Sequence, residues 1–257
     1  MSVDVTDRRQ QGGAVSEAVS VAGGSITLPG DRSSVIVGDS YGSIFDLLAC
    51  PAVHSPVYRM MKRVTDVVGS IVGIIVLSPI FLLAAIAVLL KDGRPIIFRQ
   101  TRVGLNGSEF TIYKFRTMTR NAEQQLDALR EQNEHGDSVT FKMRNDPRVI
   151  PIIGQFMRRT SIDELPQLWN VLRGEMSLVG PRPALPKEVA RYDAPHMVRL
   201  AAKPGLTCFW QVSGRGELGF DQQFELDCRY VAECSFIVDL WLIAMTFPAL
   251  IKARGAC

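Results

Sequence analysis

Histidine is scarce in this chain of 257 residues: there are three, at 54, 135 and 196, and none belongs to an HExxH pair. A zinc hydrolase therefore lacks its ligands, and no spacing of Ser with His suggests a nucleophilic couple. Cysteine is equally thin. Its five copies (50, 208, 228, 234 and 257) form no CxxC pair, and an odd count makes a poor disulfide framework, so reduced, cytosol-facing thiols are expected. No GxxxxGK[ST] occurs, which removes a P-loop. Gly214-Arg-Gly216-Glu-Leu-Gly219 has the letters of a dinucleotide fingerprint, but too little chain follows it to build the parallel sheet that motif needs. Excess charge of one sign is also missing. Lys+Arg 29 against Asp+Glu 26 leaves +3, so no basic field points to nucleic acid.

What is present is uneven. Hydrophobic residues make up 47% and charged residues 21%, with a mean hydropathy of +0.11. Those averages exclude a wholly disordered chain, a disulfide-dense miniprotein and a transporter with many spans. The basic set holds 22 Arg and 7 Lys. Arginine suits phosphate, since a guanidinium forks two oxygens at once, although a GC-rich genome produces the same ratio. Residues 1–57 are rich in Gly, Ser, Ala and Val without a helical period; 11–30 reads as linker and 35–50 as room for a short strand or helix. A charged n-region followed by an apolar h-region is lacking, so no signal peptide is expected.

Residues 67–90 form a run of 24 without a charge, longer than the ~18 that marks a membrane helix. Ser78-Pro79 divides it. A central Pro removes a backbone hydrogen bond and bends a helix, and a neighbouring Ser can satisfy the freed carbonyl. Each half would reach only about 16 Å, roughly half the hydrocarbon thickness. Both flanks are basic: Arg59, Lys62 and Arg63 before the run, Lys91, Arg94, Arg99 and Arg102 after it. A straight span would place one cluster on the wrong face, whereas a hairpin returning to the same leaflet satisfies both. A Pro-kinked span is the competing reading.

Beyond residue 94 the chain turns soluble. Residues 95–100 and 110–115 read as strands joined by the turn Gly104-Leu-Asn-Gly107. Helices are expected over 121–135, 152–159, 163–172 and 222–233, and 236–251 suits either an interfacial helix or core burial. The densest chemistry is Arg158-Arg-Thr-Ser-Ile-Asp163-Glu164-Leu-Pro-Gln167. Asp163 and Glu164 could simply be favourable first-turn residues of a helix capped by Thr160 or Ser161. Around them in sequence, however, lie Lys114, Arg116, Arg144, Arg148, Arg158, Arg182 and Arg215. Cations for phosphate oxygens, with a carboxylate for a metal ion or for attack, are what a phosphoryl-transfer site needs.

Taken together these words resemble the bacterial sugar transferases, monotopic polyprenyl-phosphate hexose-1-phosphate transferases that start exopolysaccharide synthesis. The carriers are Lys62-Arg63, Ser78-Pro79, Lys114-Phe-Arg-Thr-Met118, Asp146-Pro-Arg148, Ser161-Ile-Asp-Glu-Leu-Pro-Gln167 and Gly180-Pro-Arg-Pro183. Lys203-Pro-Gly-Leu-Thr207, Trp210-Gln-Val-Ser-Gly-Arg215 and Asp227-Cys-Arg-Tyr-Val231 follow in order. The resemblance implies a mixed α/β, mostly helical monotopic membrane protein. It divides into a partly disordered tail (1–57), a re-entrant helix-break-helix broken at Ser78 and Pro79 (58–94) and a cytoplasmic catalytic domain with interfacial helices (95–257). It implies an Asp163–Glu164 dyad with Mg²⁺ on Asp163, and phosphate binding by Lys114, Arg116, Arg158, Arg182 and Arg215. The implied reaction takes a UDP-sugar, glucose or galactose favoured, releases UMP and loads undecaprenyl phosphate through a phosphosugar–aspartyl intermediate.

The implied setting is the bacterial inner membrane, among membrane lipids, with both termini cytoplasmic; a homodimer is a further expectation. Residues 1–57 match none of the family's words, and the insertion 121–139, after Lys114-Phe-Arg-Thr-Met118, reads as a lid or substrate loop. A different class, a single-pass membrane protein whose Arg-rich domain binds anionic lipid or a partner protein, is the alternative. A glycosidase is disfavoured, because adjacent carboxylates cannot easily face each other across a glycosidic bond.

Overall fold

The computed structural model describes residues 20–22, 25–27, 35–36, 55–129, 143, 146–214 and 218–252. Within the expected linker lie strands β1 (Ser20–Ala22) and β2 (Ser25–Thr27), which pair antiparallel and are joined by β3 (Val35–Ile36). The 11–30 reading is corrected there: Val21 and Ile26, opposite each other in the register, have the β propensity for a short strand pair. The 121–139 stretch is described only to 129, and Arg144 and Arg215 lie outside the described residues.

The apolar run folds as two helices, α1 (Pro56–Val76) and α2 (Ser78–Asp92), bent by 62° at Leu77. Pro79 cannot donate to the carbonyl of Ile75, and the Ser78 hydroxyl donates to that oxygen at 2.8 Å. No single described helix is long and apolar enough to cross a membrane. Val64, Val68, Ile71, Val72 and Ile75 on α1, and Leu82, Leu83, Ile86 and Leu90 on α2, are exposed.

Both ends of this bent pair are tied to the same domain. On α1, Lys62 donates to the Val179 carbonyl (2.9 Å), Tyr230 (3.0 Å) and Asp239 (2.9 Å). Arg63 donates to the carbonyls of Val171 (2.7 Å) and Leu172 (2.6 Å), and Asp66 accepts from Ser177 and the Leu178 N–H. At the far end of α2, Arg116 pairs with Asp92 (2.9 Å) and also donates to the carbonyls of Asp92 and Gly93. Lys62 and Arg63 therefore pin α1 to the protein.

Strands β4 (Ile97–Val103) and β5 (Glu109–Phe115) form an antiparallel ribbon. Its odd-numbered face sets Phe115 against Phe81, Ala84 and Val88 of α2 and Met157 of α4 (Ile153–Arg159). A short helix α3 (Ala122–Leu129) precedes α4. The expected 163–172 helix is a correction. A 3-10 turn (Ile162–Glu164) is followed, after Leu165-Pro166, by α5 (Gln167–Arg173). Ser161 stands in the left-handed region (φ 57°) and its side chain makes no capping hydrogen bond, while Thr160 donates back to the Phe156 carbonyl. Pro166 lacks the N–H that a continuous helix would need, so Asp163 and Glu164 sit on a separate tight turn.

Then come β6 (Ser177–Val179), α6 (Pro186–Val189), a 3-10 segment (Ala194–Ala201), β7 (Gly205–Thr207) and α7 (Phe209–Ser213). Helices α8 (Phe220–Glu233) and α9 (Phe236–Lys252) complete the described chain. Pro248 falls within α9 without ending it. One face of α9 buries Asp239 and Leu242 in the main core beside Tyr58, Tyr230 and Val231, while Ile237, Trp241 and Phe247 stay exposed. Core burial thus holds for one face of this helix, and the other is an exposed apolar face.

β6 and β7 pair in parallel, and Gly180 and Gly205 press backbone to backbone. A Cβ on Gly205 would stand 2.0 Å from the Gly180 nitrogen. Gly205→Ala is expected to cost about 3 kcal/mol or more, since only backbone could yield. A thermal unfolding midpoint within a degree of the native protein's would contradict that packing.

Candidate active site

The 3-10 turn lays Glu164 against the even-numbered face of the β4–β5 ribbon, with Asp163 next to it on the turn. Alternation along the ribbon puts Arg102, Ile112 and Lys114 on this face, and the register (Gln100 opposite Ile112, Phe98 opposite Lys114) fixes it. Lys114 Nζ meets Glu164 Oε1 at 2.6 Å. Arg182 Nη1 reaches the same oxygen at 3.3 Å and stacks over Trp210, 5.7 Å from its ring centre. These side chains, with Gln167 and Pro183, line a small polar pocket.

The Pro181-Arg182-Pro183 loop is held from behind by two further arginines. Arg102 donates to the Pro183 carbonyl at 2.9 Å. Arg199 donates to the Arg182 carbonyl at 3.2 Å and is itself paired with the fully buried Asp227 and with Tyr192. The backbone that carries Arg182 is thereby fixed with its guanidinium toward Glu164.

The two neighbouring carboxyls differ sharply. Asp163 is buried and accepts no hydrogen bond among the described residues, and that burial pushes its carboxyl up to about 6. Lys114 and, more weakly, Arg158 and Arg182 pull it down, and the Glu164 charge pushes it up. Burial also opposes charge on Glu164, but Lys114 and Arg182 outweigh it and hold that carboxyl well below the usual range. One carboxylate is thus a fixed, paired anion. Its neighbour is buried and has no ion-pair partner among the described residues.

Of the residues singled out in the sequence, Asp163, Glu164, Lys114 and Arg182 come together. Arg158, at the end of α4, contributes its field to Asp163. Arg116 is placed elsewhere, on the backbone at the end of α2, where it secures the bent helix pair. Arg148 is bound to Asp146 two residues away (2.6 Å). Ser78 and Pro79 form the break itself. Arg102 and Arg199 were not anticipated. A signal for Arg102 existed: the Gly104–Gly107 turn fixes a register that sends it to the same face as Lys114. For Arg199 there was none, because its partners lie 17 and 28 residues away.

A single unpaired carboxylate bears on metal binding. No cluster of three or more His, Cys, Asp or Glu occurs among the described residues, and Glu164 is already paired with two cations. This donor set suits Mg²⁺ that arrives with a diphosphate, since Mg²⁺ is commonly held by one or two carboxylates plus substrate phosphates. It does not suit a metal caged by protein alone.

The family model for bacterial sugar transferases matches residues 57–253. The galactosyl transferase CpsE of Streptococcus agalactiae is 43% identical over 202 residues, covering 77% of this chain and 44% of that protein. The exopolysaccharide production protein ExoY of Rhizobium meliloti is 38% identical over 204 residues, 78% of this chain and 90% of ExoY. The UDP-glucose:undecaprenyl-phosphate glucose-1-phosphate transferase of Escherichia coli is 38% identical over 200 residues, 75% of this chain and 40% of the enzyme. The chain therefore spans less than half the length of the first and last of these and nearly all of ExoY.

Proposed function

Because this chain belongs to the bacterial sugar transferases, we propose that it moves a hexose-1-phosphate from a UDP-sugar to undecaprenyl phosphate, with UMP as the other product. The observation that carries this reading is the divided dyad: an unpaired, buried Asp163 beside a Glu164 neutralised by Lys114 and Arg182. In the first step an Asp163 carboxylate oxygen attacks the sugar-bearing phosphorus. The bond from that phosphorus to the bridging oxygen breaks, and UMP departs with the electron pair. In the second step an oxygen of the lipid phosphate attacks the same phosphorus and displaces Asp163, which regains its charge. A covalent intermediate lets two anionic substrates use one site in turn.

Lys114 and Arg182 offset charge on the phosphates at a point where little water screens them. Asp163 would hold Mg²⁺ together with the diphosphate, and the ion would supply further charge neutralisation. Glucose and galactose are the sugars favoured, in keeping with the names of the E. coli and S. agalactiae relatives. UMP release over a panel of UDP-sugars, each with undecaprenyl phosphate, tests the reaction and the sugar together. Release from none of them would overturn it.

The bent pair α1–α2 is read as re-entrant, with the catalytic domain on the cytoplasmic face of the inner membrane. Supporting this, Lys62, Arg63 and Asp66 near one end and Asp92 at the other are bound to one domain. A spanning segment would need its ends on opposite sides. Cysteine-directed labelling at positions 2 and 257, from each side of sealed vesicles, should mark both from the cytoplasmic side only. Labelling from opposite sides would exclude the hairpin.

The first half-reaction should have an acid limb, since Asp163 must lose its proton to attack and burial raises that carboxyl above its ordinary value. Glu164→Gln removes a neighbouring negative charge and should move that limb to lower pH. Lys114→Met removes a positive charge and should move it up. A limb unmoved by either substitution would detach it from Asp163.

A further inference from the structure

The β4–β5 ribbon has a second face. Its even-numbered residues serve the charged pocket, whereas Ile97, Arg99 and Tyr113 point the opposite way, with Arg99 directly across from Tyr113 in the register. On that side lies a cleft of about 340 Å³. Ile74, from the last turn of α1, and Phe81, from the first turn of α2, wall it on either side of the Ser78-Pro79 break. Pro166 and Trp169 complete it. The segment that gives Glu164 and Gln167 to the charged pocket therefore gives Pro166 and Trp169 to the apolar one.

The chemistry of this cleft is lopsided. Its lining is aliphatic and aromatic apart from the Tyr113 hydroxyl and one cation, Arg99. The Arg99 guanidinium lies 5.8 Å from the centre of the Tyr113 ring and has no ion-pair partner among the described residues. Trp169 is 55% exposed although it faces the cleft, so its indole wets a surface that a ligand could cover. Ile75, Val76 and Ile80, next along the chain from Ile74 and Phe81, are exposed apolar residues of the helix break. The cleft thus adjoins exposed apolar residues of the helix break at one side, and at the other its Pro166 follows the Asp163–Glu164 turn by two residues. An apolar trough with one unpaired cation, leading to a site that handles phosphate, fits an amphiphile with a long apolar tail and an anionic head.

We propose that this cleft seats the phosphate-proximal isoprenyl units of the lipid phosphate acceptor, with Arg99 attracting its head group on the way to Asp163. This rests on the proposed reaction and adds where the second substrate lies and which residues select it. The acceptor's prenyl units then lie on the face opposite the charged pocket, and its phosphate follows the UDP-sugar to the same Asp163. The hairpin break then has a role beyond anchoring: Ile74 and Phe81 form the acceptor's walls.

The test separates the two half-reactions. Exchange of labelled UMP into the UDP-sugar, without lipid, reports the Asp163 step. Transfer to a ten-carbon prenyl phosphate in detergent reports the acceptor. Ile74→Trp fills the cleft, Trp169→Ala removes a wall and Arg99→Gln removes the cation. Burial of one large apolar side chain is worth about 1.5–3 kcal/mol, roughly 10- to 150-fold. In each variant kcat/KM for the prenyl phosphate should fall at least about tenfold further than UMP exchange does. Transfer at native efficiency in all three would overturn the cleft as the acceptor site, as would equal loss of transfer and exchange. Absence of exchange and of transfer in the native protein would instead refute the reaction itself.

Discussion

Asp163→Asn should lower UMP release by at least about 10³-fold while leaving the fold intact, since removal of a covalent nucleophile leaves only binding and electrostatic stabilisation. The substitution is nearly isosteric. Asp163 accepts no hydrogen bond among the described residues, so the amide leaves no described partner unsatisfied. Loss of a buried charge whose carboxyl is pushed up to about 6 removes a cost of folding rather than a support. The sign follows from that shift. A carboxyl raised above its unfolded value of 3.8 stabilises the fold less as pH rises through about 6, so Asp163→Asn should be at least as stable as the native protein at pH 7. Activity and stability therefore move in opposite directions. An equally active Asp163→Asn protein would remove Asp163 from the chemistry; an inactive and unfolded one would leave its inactivity without catalytic meaning.

Asp227→Ala should destabilise the domain by about 3–5 kcal/mol, the range for removing one partner of a buried ion pair. Asp227 is wholly buried on α8 and bonds Arg199, which is 7% exposed and has no other carboxylate within reach among the described residues. The stranded guanidinium would have only Tyr192 and the Arg182 carbonyl. The double substitution Arg199→Met with Asp227→Leu should recover much of the stability, because it removes both charges and keeps volume. It should not recover activity. Arg199 fixes the carbonyl of Arg182, whose guanidinium bonds Glu164, so its loss frees the loop that positions the proposed phosphate ligand. Urea unfolding in detergent gives the first comparison and UMP release the second. Cost below about 1 kcal/mol for Asp227→Ala would show that the pair is not a support.

Much of the site was legible because its residues carry local signals. Asp163 and Glu164 stand out as adjacent carboxylates among arginines, Lys114 lies on a strand defined by a Gly-rich turn, and Arg182 is framed by two prolines. Ser78 and Pro79 were read as a break because their effect is confined to one carbonyl, that of Ile75. What escaped depends on distance in sequence. Nothing near Lys62 or Arg63 tells that their charges turn inward to Asp239 and to the end of α5 rather than to lipid head groups. Composition placed Arg116 with the phosphate binders, but a side chain at the end of β5 meets the end of α2 first. Likewise a helix through Asp163 satisfied the periodicity of Leu165, Leu168 and Leu172, and Pro166 overrode it by withholding one N–H. That override matters for function, because it sets the dyad on a tight turn between the charged pocket and the apolar cleft.

In the proposed reaction the sugar phosphate rests on Asp163 between its two carriers. Whole-protein mass measurement after mixing with the UDP-sugar and Mg²⁺, without lipid phosphate, tests it most directly. The protein should gain the mass of one hexose phosphate, release UMP in equal amount, and lose the added mass when a prenyl phosphate is supplied; Asp163→Asn should gain nothing. UMP release that requires both substrates together, with no adduct at any time, would contradict it.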